Sequence, residues 1–456
     1  MTTLQEVRAR FARDQGLPFA DSLSERSIRD ALNEHGVQYR DRLFSPVTTI
    51  WGFLSQVLSA DHSCRDTVAR VLAHRAASGL APCSPNTASY CNARARLPTA
   101  VLRTLARRTA QQLQDGLPES WQWNRRRVFI ADGSHVSMPD TEENQARYPQ
   151  PPQQQPGLGF PLARIAVLLS LATGACHDLA MAPYTGKGTG ETTLLRQMYG
   201  ALRPGDVVVA DALFDNYFVA CELRQRGIDL VARVQAERVG SRTVERRPDG
   251  DIIVWQRPNK PRRMTGKQYR RYPESLTMRQ VSVDARDRNN RAEQFKIITT
   301  ILDASIDGGQ IGALYERRWD GEVDLRSIQV TMQMDILRCK TPEMVHKEVW
   351  AHLLAYNLLR TVMAVAAHER HVEPRAISFK GAKQVVTAFA PKLEAAPPEQ
   401  RAGLVAALLK AVAYHRVGDR PGRWEPRVRK RRPKPGKRLT QPRRIAKLAR
   451  NRAKWY

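Results

Sequence analysis

The chain has 456 residues, more than one ordinary hydrophobic core can organise, so two to four domains are expected. Hydrophobic residues make up 42% of it, which excludes wholesale disorder. Lys and Arg number 73 against 45 Asp and Glu, a formal net charge of +28, and this excess favours a polyanionic partner. Charge alone leaves DNA, RNA and an acidic membrane surface open as that partner.

The six cysteines form no CxxC pair, and no histidine cluster has the spacing of zinc ligands. They are therefore predicted to be reduced residues of a cytosolic protein. The first residues lack the apolar stretch of a signal peptide, and the most apolar run, residues 165–172, is too short to span a bilayer. These features predict a soluble, cytoplasmic protein with no membrane partner.

Residues 1–120 are predicted to be helical. A serine followed by a proline, at residues 45–46 and 84–85, is typical of a helix start, with serine as the N-cap and proline in the first turn. Gly79 is placed to end the helix between these two starts.

Residues 98–113 predict a further helix with one apolar face, from which Arg103, Arg107 and Arg108 largely point away. These arginines favour a DNA-binding surface. A helical packing domain with solvated arginines explains them equally well, so both interpretations stand.

From about residue 121, short apolar runs alternate with helix-like stretches, which is typical of an α/β sheet. In chain order the prediction is strand 128–131, strand 165–171, helix 191–202, strand 207–210, helix 216–226 and strand 230–234. A proline-rich loop, residues 148–156, separates the first two strands. Residues 236–292 then interrupt the alternation, because they are rich in arginine and turn residues and contain one strand-like piece, residues 252–255.

The sheet pattern resumes at residues 295–302, and one long helix is predicted over residues 309–334, with further helices to residue 366. Residues 416–456 hold 17 Lys or Arg and two acids, a net charge of +15, with little apolar content. This tail is predicted to be disordered when free.

Two apolar runs end in a carboxylate: residues 128–132 are VFIAD and residues 207–211 are VVVAD. In an open α/β sheet, functional groups collect beyond the carboxyl ends of strands, so two such strands side by side would bring Asp132 and Asp211 close together. Like charges repel there unless a cation lies between them, which predicts a metal site. Taken singly, each aspartate is also typical of the turn that ends a strand.

The helix predicted over residues 309–334 carries a polar stripe. At about 100° per residue, a stripe roughly 60° wide holds Tyr315, Arg318, Glu322 and Gln329. Apolar residues border it on both edges: Trp319, Val323, Val330, Leu314 and Leu325. Because buried polar groups need partners, the stripe predicts a charged partner facing the helix. An internal ion pair between Arg318 and Glu322 is the alternative. Two acids point away and are predicted to be solvated: Asp320 and Asp324.

Together these motifs resemble the bacterial DDE transposases, and within them the fourth insertion-sequence family, which includes the transposon-five and transposon-ten enzymes. The shared order is a strand with Asp-Gly, a strand with Asp, a basic insertion, and a helix with the pattern Y-x2-R-x3-E-x6-K. The matching residues are Asp132 with Gly133, Asp211, Tyr315, Arg318 and Glu322, and 78 and 110 residues separate the three acids. Residues 90–97 and 337–360 also resemble that family, and the likeness extends over residues 80–445.

The resemblance implies an α/β fold whose RNase-H-like core spans residues 121–235 and 293–385, interrupted by a basic, β-rich insertion at residues 236–292. It also implies a helical, DNA-binding domain at residues 1–120 and a C-terminal helical segment with the basic tail at residues 386–456.

The implied activity is that of an insertion-sequence transposase, which binds the inverted-repeat ends of its element, cleaves them and joins them to target DNA. Asp132, Asp211 and Glu322 would hold two Mg²⁺ ions, for which Mn²⁺ can substitute. The enzyme would act on DNA as a homodimer, in the cytoplasm at the bacterial nucleoid.

Further DNA contacts are implied for Tyr315 and Arg318, and the motif's final lysine falls on Gln329, which carries no charge. That lysine is taken to contact a phosphate of the transposon end, so end binding is expected to be weaker here. Arg326 lies one turn beyond Glu322, within about 40° of it around the helix axis, and is a candidate substitute.

Trp255 ends the strand-like piece of the insertion and is its one tryptophan. Transposases that pass through a hairpin resemble one another in holding a flipped base on an aromatic side chain of the insertion, which predicts this role for Trp255. The alternative is that Trp255 packs the insertion onto the core.

Two other functions remain open on the sequence. One is a catalytically impaired, transposase-derived DNA-binding protein, which Gln329 favours and the three intact acids oppose. The other is an RNase-H-like nuclease that cleaves DNA without joining it.

Overall fold

The computed structural model describes residues 23–40, 42–235, 240–286, 292–418 and 439–452. The chain divides into two compact units. Of the described residues, the helical unit comprises 23–40, 42–130, 167–179 and 319–417, and the sheet unit comprises 131–166, 180–235, 240–286, 292–318, 418 and 439–452. Each unit is completed by segments that are far apart in the sequence.

The described helices, in chain order, are α1 Glu25–Glu34, α2 Pro46–Leu58, α3 Cys64–Ala77, α4 Ala88–Arg96, α5 Thr99–Asp115, α6 Glu142–Arg147, α7 Glu191–Gln197, α8 Tyr217–Arg224, α9 Gly266–Tyr269, α10 Gly308–Glu316, α11 Trp319–Arg326, α12 Pro342–Glu369, α13 Phe379–Ala395, α14 Pro398–Tyr414 and α15 Arg443–Arg452. The described strands are β1 Val128–Ser137, β2 Leu162–Ser170, β3 Cys176–Pro183, β4 Val207–Ala210, β5 Asp229–Arg233, β6 Ser241–Glu245, β7 Asp251–Gln256, β8 Ser275–Arg286 and β9 Ala292–Thr299.

The core of the helical unit is α12, which is buried along most of its length and packs against α2, α5 and α14. Thr341 begins this helix, since its side chain accepts a hydrogen bond from the Met344 N–H and Pro342 occupies the first turn. By length and composition α12 could cross a membrane, but its most apolar window is entirely buried inside the protein. It is therefore a core helix of this unit.

Two of the predicted helix boundaries are confirmed and one is wrong. Helix α2 begins after Ser45, whose hydroxyl accepts from the Thr48 N–H at 3.3 Å, and Gly79 follows the end of α3 with a φ of +66°. Ser84, in contrast, does not begin a helix: its hydroxyl accepts from the Asn86 N–H in a turn, and α4 starts at residue 88. A local turn has taken the place of the predicted N-cap.

Helix α5 has the predicted apolar face, which is buried, and two of its arginines form ion pairs with acids of the same chain. Arg107 forms an ion pair with the buried Asp178 at 2.6 Å, and Arg108 pairs with Glu34. Arg103 is exposed. The two paired arginines therefore favour the packing interpretation of this helix over a row of free DNA contacts.

Among the described residues the strands form one nine-stranded sheet in the order β3-β2-β1-β4-β5-β9-β8-β7-β6. Strands β4 and β5 are parallel, with Val208 opposite Leu230, and from β5 onward each neighbouring pair is antiparallel. The α/β alternation predicted from the sequence is thus confirmed for the central strands, and the remaining strands make the sheet mixed.

The predicted insertion contains more strands than the single piece that its residue pattern indicated. Besides β7, which contains the predicted piece, β6 and β8 lie within residues 236–292, and both pair with β7. The sequence of β6, SRTVE, is exposed along its length, so no apolar periodicity marks it as a strand. Strand β3 was also missed.

The prediction of one continuous helix over residues 309–334 is wrong, because the stretch is divided into separate helices. Helix α10 ends at Glu316, the Arg318 N–H bonds back to the Tyr315 carbonyl at 2.9 Å, and α11 restarts at Trp319. A π-helical turn, Ser327–Thr331, follows α11. One polar stripe therefore cannot run unbroken over this stretch.

The basic tail falls mostly outside the described residues. Its described part contains a helix, α15, so the prediction of disorder over all of residues 416–456 is wrong for that segment. Arg416 and Val417 are also held in place. Arg416 forms an isolated antiparallel β-bridge with Ile377, and the Val417 N–H donates to the Ala376 carbonyl at 2.8 Å.

Candidate active site

The first two predicted acids stand on neighbouring strands of the sheet unit. β1 and β4 are adjacent in the strand order, so the strand that carries Asp132 lies beside the strand that precedes Asp211. Asp132 is half-buried and accepts a hydrogen bond from the Gly133 N–H at 2.8 Å. Contrary to expectation it does not end its strand, because β1 continues to Ser137.

Asp211 follows β4 directly, as expected. Its carboxylate accepts from the Leu213 N–H at 2.9 Å and begins the 3-10 turn Ala212–Phe214. Asn216 is the N-cap of the next helix, and the Asp215 carboxylate accepts a hydrogen bond from the Gln235 N–H at 3.1 Å. Asp211 is thus held by its own turn at the end of a buried strand.

A third acid of the sheet unit, Glu191, was missed by the sequence analysis. It is the first residue of α7, and its carboxylate lies against the backbone of Gly133: a Cβ placed on that glycine would be 2.4 Å from the Glu191 Cδ. Arg164, on β2, pairs with it at 3.3 Å. Burial raises the pKa of Glu191, and the nearby charge of Asp211 raises it further. The glycine after Asp132 was the one local signal that another group, here the Glu191 carboxylate, occupies the position of a side chain at residue 133.

Tyr315 and Arg318 lie together in the sheet unit and are both buried, 6% and 9% exposed. Burial raises the pKa of the Tyr315 phenol, while the guanidinium groups of Arg318 and Arg233 beside it act in the opposite direction. Asp211 is also close enough to influence this phenol. The prediction that these residues face a charged partner is therefore consistent with an acid-and-guanidinium cluster.

Arg233 is a second residue that the sequence analysis missed. It ends β5, the parallel neighbour of the strand before Asp211, and its guanidinium lies 4.8 Å from the centre of the Phe295 ring. That ring in turn contacts Tyr315, with 5.6 Å between ring centres. An arginine at the carboxyl end of a predicted parallel strand was the available signal.

Glu322 belongs to the helical unit, where it is half-buried on α11. Asp324, two residues later, was predicted to be solvated, and this is wrong: it is completely buried and paired with Arg360 and Arg375, the latter at 2.7 Å. Asp320 is less buried and lies 3.7 Å from Arg375. The prediction was wrong because the position of a residue around its own helix gives no information about the arginines, here Arg360 and Arg375, that later segments bring next to it.

The same buried cluster requires a glycine. Gly174 has a φ of +75°, and a Cβ there would lie 2.7 Å from the Arg360 Cζ and 2.8 Å from the Asp324 Oδ1. Arg375 also donates to the carbonyls of Leu171 and Ser170, the latter at 2.8 Å. These contacts connect α11, through Asp324, to the end of β2.

The remaining residues of the motif helix lie on or near the surface. Arg326 is exposed, and Gln329 is half-buried in the π-helical turn, a distortion that often marks functional positions. The apolar residues expected to border the stripe on one edge are exposed instead, at 43%, 59% and 58%: Trp319, Val323 and Val330. Of the apolar residues expected to border the predicted stripe, Leu314 and Leu325 are the buried ones.

Trp255 is buried, 7% exposed, on β7. Its ring meets that of Tyr217, on α8, edge to face with 5.3 Å between the ring centres. This contact is the one expected if Trp255 packs the insertion onto the core. To hold a flipped base, the indole would have to move away from Tyr217.

The metal-binding prediction depends on three carboxylates, two in the sheet unit and one in the helical unit. Within the described part of the chain, no three His, Cys, Asp or Glu side chains are already gathered as a metal site. The donor chemistry nevertheless fits a hard divalent cation, since carboxylate oxygens are the ligands that Mg²⁺ prefers. Burial, and after it the charge of Asp211, raises the pKa of Glu191, so a second acid besides Asp211 lies in this part of the sheet unit.

Comparison with known proteins agrees with this pattern. Residues 123–358 match the family model described as the transposase DDE domain. Over 351 residues the chain is 27% identical to the transposase InsG for insertion sequence element IS4 of Escherichia coli (strain K12), covering 75% of this chain and 76% of that protein. The stretch matched by the family model contains all three predicted acids.

Proposed function

The chain belongs to the family of transposases with a DDE domain and is an insertion-sequence DNA transposase; on that premise, we propose that Asp132, Asp211 and Glu322 are its catalytic acids. Such an enzyme carries out metal-dependent DNA cleavage and strand transfer. The adjacency of β1 and β4, which carry or precede the first two acids, is the observation that most supports the assignment.

The proposed metal is Mg²⁺, with Mn²⁺ as a substitute, held by the carboxylates of the three acids. When bound, the ions would activate the attacking oxygen and stabilise the leaving oxygen at the scissile phosphate. The protein's own contribution is to fix the donors: the Gly133 N–H orients Asp132, and the 3-10 turn orients Asp211. On α11, the Asp324 cluster limits the freedom of the helix that carries Glu322.

Tyr315 and Arg318 are proposed to hold the DNA backbone near the scissile bond. The guanidinium of Arg318 offers donors that match a phosphate, and the phenol beside it can donate to the same group. Arg326 and Gln329, on the following turns, would contact phosphates farther along the transposon end. Gln329 supplies a hydrogen bond there without a charge, so its contribution to affinity is smaller than that of a lysine.

At the level of architecture, the proposal is an RNase-H-like core at residues 121–235 and 293–385, with residues 236–292 as its β-rich insertion. Residues 1–120 and the basic tail within residues 386–456 would add DNA contacts. The DNA partners would be the inverted-repeat ends and the target, bound by a homodimer in the cytoplasm, at the nucleoid, with no membrane involved. The net charge of +28 suits a protein that engages two DNA segments.

Gln329 keeps one other function in view, a transposase-derived DNA-binding protein with impaired catalysis. The test is to incubate the protein with a labelled duplex carrying the element's inverted repeat, a target plasmid and Mg²⁺. Joined product is the expected result. Cleavage without joining would indicate a nuclease, and a shifted but uncut duplex would indicate the binding protein.

A further inference from the structure

Glu191 is placed unusually closely against the Asp132 segment. A Cβ at Gly133 would lie 2.4 Å from the Glu191 Cδ and 2.6 and 2.8 Å from its two carboxylate oxygens. The glycine is therefore required for steric reasons, because the carboxylate already occupies the volume that any side chain at residue 133 would need.

The carboxylate is held in that position from the other side. Arg164 Nη1 pairs with Glu191 Oε1 at 3.3 Å, while its Nη2 donates to the Tyr184 carbonyl at 3.4 Å and its guanidinium lies 5.4 Å from the centre of the Tyr184 ring. In this ion pair the side chain of Glu191 is 15% exposed and that of Arg164 is 28% exposed. Arg164 is thus itself held by Tyr184, and its ion pair favours the position of Glu191 beside Gly133.

Glu191 also faces the second proposed metal ligand. Its carboxylate is close enough to Asp211 for the two negative charges to interact, and α7 packs against the 3-10 turn that Asp211 begins. Glu191 is therefore in steric contact with the residue after Asp132 and in electrostatic contact with Asp211.

From this geometry we propose that Glu191, held by Arg164, is a positioning residue for the metal-binding acids of the sheet unit. It acts in two ways. Its carboxylate supports the backbone at Gly133, whose N–H orients Asp132, and its charge adds to the negative field that draws a divalent cation to Asp132 and Asp211. The inference rests on the proposed function, because it assumes that these two aspartates bind the metal.

The main test is Glu191→Gln, which keeps the shape of the side chain and removes its charge. Two quantities are measured on the full chain: the Mn²⁺ or Mg²⁺ concentration that half-saturates the rise in melting temperature, and the concentration that half-saturates cleavage of an inverted-repeat duplex. Both midpoints should rise by about 10-fold or more, the range typical of residues that support metal ligands.

Glu222→Gln is the matched control. Glu222 lies in the same unit, is similarly buried at 13% exposure, and pairs with Arg196 at 2.7 Å. If its loss moved the metal midpoints as much as Glu191→Gln does, the effect would come from breaking any buried ion pair, and the proposal would be overturned. A control midpoint equal to wild type supports the proposal.

A double-mutant cycle tests the contact with Gly133 itself. With the metal at saturating concentration, so that the charge of Glu191 matters least, Gly133→Ala should displace the Glu191 carboxylate and slow cleavage. Adding Glu191→Ala should then cost less than Glu191→Ala does in the wild-type chain, because the contact is already lost. Fully additive losses would show that the two residues act independently and would contradict the positioning role. Arg164→Gln, which frees the carboxylate without removing its charge, should slow cleavage with a smaller change in the metal midpoint; a wild-type rate would also contradict it.

The failure of this inference differs from the failure of the proposed function. If Asp132→Ala and Asp211→Ala abolish the metal-dependent rise in melting temperature while Glu191→Gln behaves as wild type, the positioning role alone is wrong. If Asp132→Ala and Asp211→Ala both retain the wild-type metal response, the metal assignment itself is wrong.

Discussion

Two largely buried acids stand beside proposed metal ligands, and the protein treats them differently. In the helical unit, Asp324 lies two residues from Glu322 and is paired with two guanidinium groups, those of Arg360 and Arg375. In the sheet unit, Glu191 lies against Gly133 and has one arginine at 3.3 Å, and burial together with Asp211 raises its pKa. The charge of Asp324 is thus offset within the chain, whereas a cation from outside would help to offset the negative charge around Glu191.

The difference separates two uses of a carboxylate near an active site. A buried acid with two arginines fixes the position of a helix, and its removal should be felt mainly as reduced stability. An acid with too few cations nearby makes the site attractive to a divalent metal, and its removal should be felt mainly as reduced metal affinity. Substitutions in the two regions can therefore be told apart by which quantity they change.

The largest expected effect is on catalysis. Asp132→Ala, Asp211→Ala and Glu322→Ala should each abolish cleavage of the inverted-repeat duplex in Mg²⁺, because each removes oxygen ligands of the metal. Binding of the same duplex, measured by gel shift, should remain near wild type, since carboxylates repel the phosphate backbone rather than hold it. Near-normal cleavage by any one variant would remove that residue from the metal site.

Replacing Asp324 should instead lower the stability of the folded protein. Asp324→Asn leaves two buried guanidinium groups poorly compensated and should lower the free energy of unfolding by about 3–5 kcal/mol. Asp320→Asn is the matched control, because Asp320 lies on the same helix, is 34% exposed and approaches the same Arg375 at 3.7 Å. This control should lose less than about 1 kcal/mol.

Urea unfolding measures both changes. Equal losses in the two variants would mean that the buried cluster does not fasten α11, and the contrast drawn between Asp324 and Glu191 would fail.

For Trp255 too, the partner of the side chain is either another residue of the chain, Tyr217, or a group from outside, a DNA base. Because its ring packs on Tyr217, Trp255→Ala should lower the free energy of unfolding by about 3 kcal/mol and slow the cleavage of an intact end and of a pre-nicked end lacking the terminal base equally. Trp255→Phe, which retains an aromatic edge, should recover most of the stability.

A larger loss on the intact end than on the pre-nicked end would identify Trp255 as the residue that holds a flipped base. In that case the indole must leave Tyr217 when DNA binds, and the packing seen here would describe the DNA-free protein.

The smallest and most graded effect is expected from the basic tail. Removing residues 419–456 spares the anchored Arg416 and Val417 and should weaken DNA binding without changing sequence preference, because phosphate contacts position a protein rather than specify a sequence. The slope of log affinity against log salt should fall by about 0.9 for each phosphate that the shortened chain no longer neutralises. An unchanged slope would assign the tail to another role.

The sequence predicted best the elements whose signal is local. The apolar run at residues 207–210 is β4, and the serine-proline pair at residues 45–46 begins α2. It failed where the determinant was distant. Asp324 was misplaced because its two arginines come from α12 and from the segment after it, and β6 was missed because its pairing with β7, rather than any pattern of its own, makes it a strand.

By itself the sequence determined the types of residue available for chemistry and their order: Asp132 after an apolar run, Asp211 after another, and Glu322 following Tyr315 and Arg318 at fixed spacing. A carboxylate's type and its neighbours along the chain are local properties, readable one segment at a time. The tertiary structure alone decided that β4 would lie next to β1, that Glu191 would fill the space beside Gly133, and that Trp255 would meet Tyr217. Those outcomes depend on which surfaces are complementary once the chain is compact, and no short stretch of sequence contains that information.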